Sequence, residues 1–196
     1  MATNQNRKIR ALQEAIRQWE SSPETALVDE EQEEALKPFI AHAQRLINHR
    51  PRSVYELRSR LAERDAPDEL IDLVIERCER GGMVNDAAFA REWVRQRSEH
   101  QKKSVAVLRR ELEQKGVAGP LIEDALQQIS QEDQLELIES LVRKKASQVS
   151  KVPQGRDEYN KVLRRIVGVA ARRGFPSDAS MRAARAALDG RIDELS

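Results

Sequence analysis

The chain has 196 residues, of which 39% are hydrophobic, 4% aromatic and 34% charged, and its formal net charge is +1. Such a composition, with few glycines and prolines, is typical of helices with broad solvated faces rather than of a β-sandwich or barrel, so we expect an extended all-α protein. No apolar run approaches the roughly 20 residues that cross a bilayer, and the polar N-terminal residues lack a secretion signal, which predicts a cytoplasmic protein without membrane contact.

Residues 1–37 are predicted to form an N-terminal appendage. Residues 7–20 have the spacing of an amphipathic helix, and the acidic run at residues 29–34 predicts a linker behind it. Trp19 favours docking of this helix on the rest of the protein over a mobile terminus. The apolar face of the helix consists of Ile9, Leu12, Ala15, Ile16 and Trp19.

The chain after the appendage repeats itself. Ser53 and Leu57 are echoed 51 residues later by Ser104 and Leu108, and a fainter third copy follows 58 residues further on. Self-similarity at such a period is the signature of a repeat array. We therefore predict an elongated, curved array of three tandem three-helix repeats, with the appendage as an extra helix. The predicted repeats span residues 38–84, 85–129 and 130–196.

The apolar spacing predicts where the helices of each repeat lie. In the first repeat they span residues 38–49, 53–64 and 67–80. The second repeat opens at Asp86, a predicted N-cap, and its inner face holds Phe89, Ala90, Trp93 and Val94. The third repeat begins at Ser130, with Leu135, Ile138, Leu141 and Val142 inside, and its later helices span residues 159–173 and 177–188.

Residues between the helices give further local predictions. Gly116 and Gly174 follow the middle helices at the position that favours a left-handed conformation, and Asp65 occupies this position in the first repeat. Ala43 and Ala90 are 47 residues apart, whereas Ser53 and Ser104 are 51 apart. The second repeat thus has four extra residues before Ser104, which predicts an inserted loop at residues 97–103. Tyr55 and Tyr159 are predicted to be more exposed than Trp93.

The single cysteine, Cys78, cannot form an internal disulfide, which is consistent with a reducing compartment. It follows Ile71, Val74 and Ile75 at helical spacing. We therefore predict that Cys78 is a buried apolar residue and not a reactive thiol.

The charges are segregated along the sequence. Residues 91–110 hold seven basic and two acidic residues, and residues 143–173 hold ten basic and two acidic residues. Residues 111–139, between them, hold eight acidic residues and one lysine. If the repeats stack, these blocks predict alternating stripes, and a basic stripe can bind phosphates or an acidic protein surface.

No catalytic constellation is present in the sequence. It has no phosphate-binding glycine-rich loop with lysine, no cysteine pair and no metal-ligand spacing. Adjacent carboxylates such as Glu123 and Asp124 fall at predicted helix starts, where they offset the helix dipole. We therefore expect a protein that is not an enzyme and that has no cofactor and no metal ion.

Several short motifs follow one another along the chain: GMVND at residues 82–86, FAREWVR at 89–95, LRREL at 108–112, KGV at 115–117 and RRGF at 172–175. These motifs resemble those of the RecX family. The resemblance covers roughly residues 38–188 and leaves the appendage outside. Two positions depart from the family pattern: residues 99–104 replace a glycine-rich basic loop, and Asp65 replaces a glycine.

The resemblance implies an all-α protein that modulates RecA, the recombinase that polymerises on single-stranded DNA. Members of the family resemble inhibitors that lie in the groove of the RecA–DNA filament and restrain strand exchange, ATP hydrolysis and stimulated repressor cleavage. The expected roles are therefore in DNA recombination, DNA repair and the SOS response. The alternative is a helical DNA-binding protein that limits RecA loading by competing for single- or double-stranded DNA.

The expected partners are the RecA filament and DNA, bound by a monomer through basic residues outside the apolar periodicity. For any one of these residues the alternative is a solvated face with local ion pairs. We expect the later repeats to do most of the binding and the first to orient them. The predicted contact residues are Arg91, Arg95, Lys102, Lys103, Arg109, Arg110, Arg143, Lys144, Lys145, Lys161, Arg164, Arg165, Arg172 and Arg173.

Overall fold

A computed structural model of the chain describes residues 23–64 and 66–196, with side chains from residue 33 onward. These residues form α-helices joined by short turns, which confirms the all-α helical repeat class. No helix in this part of the chain is long and apolar enough to cross a membrane. The helices are α1 (Pro23–His49), α2 (Val54–Ala62), α3 (Asp68–Arg80), α4 (Asp86–Gln101), α5 (Val105–Gln114), α6 (Gly119–Leu126), α7 (Gln131–Ala146), α8 (Gly155–Ala171) and α9 (Ser177–Leu195).

The described helices divide into two compact units. The first unit contains α1, the C-terminal part of α2 from Arg58 onward, and α3. The second contains Pro51–Leu57, which includes the N-terminal turn of α2, and all helices from α4 to α9. The second unit therefore holds two of the three predicted repeats.

The helix α1 begins at Pro23, so the prediction of a linker at residues 29–34 is wrong. Glutamate, glutamine, alanine and leucine dominate this stretch, and all four are strong helix formers. Pro38 lies inside the helix and does not end it. The predicted helix at residues 7–20 and Asp65 lie outside the described residues.

The first unit is held by the packing of α3 against α1. Ile71, Val74, Ile75 and Cys78 are all buried, as their spacing predicts. Burial raises the pKa of the Cys78 thiol, which keeps it neutral and apolar.

The second unit has two hydrophobic cores, one for each set of three helices. In the first, α4, α5 and α6 bury Phe89, Val94, Leu108, Leu112 and Ile122, among others. The second core lies among α7, α8 and α9 and contains Ile138, Val142, Leu163, Ile166, Ala170, Phe175, Ala184 and Leu188, together with Ala146. Each set of three helices therefore buries its own apolar faces.

The residues around α4 differ from the prediction in two ways. Asn85, not Asp86, is the N-cap, since its side chain accepts the N–H of Ala88 at 2.9 Å. The predicted loop at residues 97–103 is helical as far as Gln101. The four extra residues add about one turn to the helix, because a turn contains 3.6 residues.

One prediction about α7 is also wrong, and Tyr159 in α8 has the same burial class as Trp93. Leu135 is 50% exposed, because its side chain lines an open groove beside Ile138 and Ala179 instead of joining the core of α7–α9. Tyr159 is half-buried, since its hydroxyl donates a hydrogen bond to Asp189 at 2.7 Å and its ring packs on the core of α7–α9. The helices α8 and α9 also extend beyond the predicted ranges, to Gly155 and Leu195 respectively.

Candidate functional site

The repeated serines of the sequence form buried joints in the second unit. Ser53 caps α2, and its hydroxyl also donates a hydrogen bond to the backbone carbonyl of Lys115 at 2.7 Å. The next N–H, of Val54, donates to a carboxylate oxygen of Asp86 at 2.8 Å. This joint attaches the start of α2 to the end of α5 and the start of α4.

Ser104 forms an equivalent joint between the two sets of three helices. Its hydroxyl donates to the backbone carbonyl of Gly174 at 2.8 Å, and its N–H donates to the carbonyl of Arg173 at 3.0 Å. The N–H of Val105 donates to the side-chain oxygen of Gln134 at 3.0 Å, as that of Val54 does to Asp86. The joint fixes the start of α5 against the end of α8 and the first turns of α7.

A glycine with a left-handed backbone completes each joint. Gly116 has φ 70° and Gly174 has φ 79°, which confirms the predicted conformation. A Cβ on Gly116 would lie 2.4 Å from the Cβ of Tyr55, and one on Gly174 would lie 2.2 Å from a methyl carbon of Val107. Glycine is therefore required both for the backbone conformation and for the close approach.

We expect Asp86→Asn to gain stability relative to the wild type as pH rises. Burial raises the pKa of the Asp86 carboxyl above its ordinary value of 3.8, and the hydrogen bond from Val54 only partly offsets this. Because the folded state then binds more protons than the unfolded state, stability is lost as pH rises through the raised pKa. Asparagine keeps the acceptor oxygen without the charge. Urea unfolding of both proteins at about pH 4 and about pH 7 measures the effect. A stability difference that is the same at both pH values would contradict this prediction.

The carboxylates of α6 pair with two of the predicted contact residues. Arg91 lies 3.2 Å from Asp124, and Arg109 lies 2.8 Å from Glu123. These four side chains are between 41% and 58% exposed, so each pair is weak in stability terms. The positive charge of both arginines is nevertheless balanced within the chain.

Two further contact residues of the second repeat are also paired. Arg95 lies 2.7 Å from Glu92, and this hydrogen bond lowers the pKa of the Glu92 carboxyl. Lys103 pairs with Glu111 in a half-buried position. Lys102 and Arg110 are exposed and have no ion-pair partner in the part of the chain that the structure describes.

A cluster around Trp93 was not predicted from the sequence. The Arg97 guanidinium lies 3.8 Å and the Lys115 ammonium 4.4 Å from the centroid of the Trp93 ring. The indole N–H donates to Glu111 at 3.0 Å, and the ring packs on Phe89. The spacing of Trp93 and Arg97, four residues apart on one helix, is the local signal that could have indicated it. The cluster binds Trp93 into the fold and leaves it unavailable for stacking on a base.

The basic residues of the third repeat have a different environment. The third repeat contains eight of the predicted contact residues. Among these eight, only Arg143 forms an ion pair with a described carboxylate, that of Glu139 at 3.6 Å. Lys145 binds the side chain of Gln148 at 2.7 Å, and Lys144 is exposed. Arg173 is half-buried and donates to the carbonyl of Val169 at 3.0 Å, so it belongs to the Ser104 joint more than to the surface.

Four cationic side chains form a row along one face of α8 and its C-cap. They are Lys161, Arg164, Arg165 and Arg172, all exposed, and their spacing places them within about a third of the helix circumference. No ion pair joins any of them to a described carboxylate. The row extends over about 17 Å, from the rise of 1.5 Å per residue. We call these four residues the α8 row.

The charge blocks of the sequence are therefore mixed in space. The acidic block at residues 111–139 supplies Glu111, Glu123, Asp124 and Glu139 as partners of basic residues. The positive charge of the second repeat is largely balanced in this way, and that of α8 is not. In the described part of the chain, no group of three or more histidine, cysteine, aspartate or glutamate residues is placed to hold a metal ion.

Successive three-helix sets, repeated serine joints and an exposed cationic helix face define the class of this molecule as an all-α helical repeat protein. Residues 41–78 match the family model described as the first three-helix domain of RecX, and residues 85–126 match the second. The chain belongs to the RecX family of regulatory proteins.

Known relatives agree with this assignment. The chain is 42% identical to a regulatory protein RecX from Corynebacterium efficiens over 185 residues, 94% of this chain and 88% of the relative. It is 35% identical to regulatory protein RecX from Streptomyces coelicolor over 145 residues, 74% of each chain. The crystal structure of RecX from Lactobacillus salivarius has the same fold, with a TM-score of 0.62, 23% identity and coverage of 82% of this chain and 96% of that one.

Proposed function

We propose that this protein regulates homologous recombination and the SOS response by binding the groove of the RecA filament on single-stranded DNA. In this role it inhibits strand exchange, ATP hydrolysis and stimulated repressor cleavage. The observation that carries the proposal is the α8 row, a line of exposed cations without carboxylate partners in the described structure.

The α8 row suits a nucleic-acid strand held in a protein filament. Each lysine or arginine that neutralises a phosphate releases condensed counterions, so several cations in one row bind a polyanion together. Weak contacts to neighbouring subunits of the polymer add affinity through effective concentration. A protein held in the groove excludes a second DNA molecule and opposes the subunit movements of the ATPase cycle.

The basic residues of the second repeat contribute less in this proposal. To bind a phosphate, Arg91 and Arg109 must first give up Asp124 and Glu123. The carboxylates that remain close by would repel the same phosphate. In the α8 row no cation is paired with a described carboxylate, although the exposed Asp157 and Glu158 lie one turn before Lys161.

A second candidate function uses the same row without RecA. In this alternative the protein binds DNA directly and limits RecA loading by competition. It is less favoured because single-strand binding proteins stack bases on exposed aromatic rings. Among the described residues, one large aromatic side chain is exposed, that of Tyr55 at 55%.

Inhibition of RecA-dependent ATP hydrolysis at sub-stoichiometric protein and saturating single-stranded DNA separates the two functions. The proposal predicts inhibition by far less than one protein per DNA site, at concentrations below those at which the protein binds bare DNA. Excess DNA should not restore hydrolysis. Inhibition that disappears with excess DNA and follows the protein's own DNA affinity would establish the competition mechanism instead.

A further inference from the structure

A groove between the two sets of three helices has a different chemistry from the α8 row. It has a volume of about 450 Å³ and lies among the end of α4, the turn after α6, and α7. The half-buried side chains of Ile129 and Leu137 give it apolar walls. Its charged lining residues are Glu99, Lys102 and Glu136, all exposed, and Asp133, which caps α7.

Lys102 has an unfavourable backbone conformation in this groove. It has φ 56° and ψ 39°, in the left-handed region, and it is the one non-glycine residue with positive φ among those described. Glycine adopts this conformation without the steric cost that a Cβ adds. The capping hydrogen bond, from the Lys102 N–H to the carbonyl of Arg97, uses only the backbone and would survive in glycine.

The Lys102 side chain therefore contributes little to the stability of the fold. Its ammonium is exposed and forms no ion pair with the described residues, although three carboxylates line the same groove. The attraction between this ammonium and the negative end of the α4 dipole stabilises the fold by a few tenths of a kcal/mol at an exposed site. This is less than the cost of the left-handed backbone. The Lys102 ammonium is therefore available for a contact outside the chain.

The charges around Lys102 indicate the chemistry of that contact. A nucleic-acid strand would find one unpaired ammonium beside the carboxylate of Glu136, because Glu99 pairs with Arg95 and Asp133 is held in the cap of α7. The groove therefore has no row of cations along which successive phosphates could bind. A protein segment can instead place a carboxylate at Lys102, a basic residue at Glu136 and an apolar side chain on Leu137. Mixed charge around an apolar floor thus favours a protein partner over a polyanion.

We propose that this groove binds a protein segment of the recombinase subunit itself, while the α8 row binds the DNA phosphates. The assignment rests on the proposed function, because it divides the filament contact between two surfaces. If the two surfaces have different ligands, a substitution in the groove can weaken binding to the recombinase without changing binding to DNA. The segment that fits carries an apolar residue flanked by a basic residue and a carboxylate.

Lys102→Gly tests the groove, and Lys151→Gln serves as the matched control. Lys151 is an exposed loop lysine outside the groove, so both variants lose one positive charge. We expect Lys102→Gly to raise the melting temperature by about 3 °C, because it removes the left-handed strain. It should weaken binding to the RecA filament about tenfold and leave the affinity for bare oligo-dT unchanged within about twofold. Lys151→Gln should not raise the melting temperature.

Glu136→Lys gives an independent test, because it should change the affinity for the RecA filament and the affinity for oligo-dT differently. If the groove binds protein, the reversal weakens filament binding and leaves or slightly strengthens oligo-dT binding. If filament binding strengthens, or if Lys102→Gly weakens filament and oligo-dT binding equally, the groove contacts nucleic acid and the inference is wrong. It is also wrong if the wild type binds the filament and both groove variants bind it equally well. A wild type that does not bind the filament would instead overturn the proposed function.

Discussion

Replacing Gly174 by alanine is expected to lower the free energy of unfolding by about 3 kcal/mol. The left-handed backbone of this residue, with φ 79°, costs an alanine about 1 to 2 kcal/mol. The new Cβ would also lie 2.2 Å from a methyl carbon of Val107 and 2.9 Å from the hydroxyl of Ser104. Both residues are packed in the joint, so the backbone of α8 must shift away and weaken the Ser104 hydrogen bonds.

Urea unfolding followed by far-ultraviolet circular dichroism measures this change. Gly190→Ala is the matched control, because Gly190 lies within α9 and a Cβ there meets nothing within 4 Å. The control should gain about 0.5 to 1 kcal/mol, since alanine is the better helix former. Equal effects of the two substitutions would show that the close approach at Gly174 has no energetic importance.

A second substitution tests whether the overlap with Val107 is the cause. Val107→Ala removes the methyl carbons, and the remaining Cβ lies at an ordinary distance of 3.5 Å from the new one. We expect the double variant to be more stable than the sum of the two single effects predicts, by about 1 kcal/mol. Strict additivity would assign the cost to the backbone conformation and the contact with Ser104, not to the overlap with Val107.

Neutralising three cations of the α8 row is expected to weaken binding to single-stranded DNA in the RecA filament about a hundredfold. The variant is Lys161→Gln, Arg165→Gln, Arg172→Gln, and none of these side chains has an ion pair among the described residues. Each lost phosphate contact also removes about 0.7 from the slope of log affinity against log salt for a single strand, so the slope should fall by about 2. Fluorescence anisotropy over a salt series measures both quantities.

The matched control neutralises three cations of the second repeat. Arg91→Gln, Arg95→Gln, Arg109→Gln changes the net charge by the same amount, but each of these arginines is paired with a carboxylate. We expect a loss of affinity below about fivefold and a nearly unchanged salt slope, because these residues release few counterions. If the control loses as much affinity as the α8 variant, internal pairing does not decide which residues contact the filament.

Local patterns in the sequence predicted the local features of the fold. The spacing of Ile71, Val74, Ile75 and Cys78 identified a buried helix face, because side chains three and four residues apart lie on one side of a helix. The left-handed glycines were predictable for a similar reason, since a helix end imposes its own backbone geometry. Boundaries were less predictable, because proline and acidic residues occur both in linkers and in the interior of α1.

Non-local contacts could not be predicted in the same way. The serine at position 53 is recognisable as a cap, but nothing near it indicates that its hydroxyl binds a carbonyl 62 residues away. Leu135 has the spacing of a core residue, yet in the fold it lines an open groove and is exposed. Lys102 has an ordinary sequence context, and its left-handed backbone becomes visible only in the structure.

The sequence by itself determined the helical class, the repeat and the amount of charge carried by each segment, because periodicity and composition depend on neighbours along the chain. Only the tertiary structure decided which charges remain without partners. Two charges interact strongly over a few ångströms whatever their separation in sequence. The packing of α6 brings Glu123 to Arg109 and Asp124 to Arg91, and none of the described carboxylates pairs with the α8 row. The structure thus distinguishes two basic blocks that look alike in the sequence.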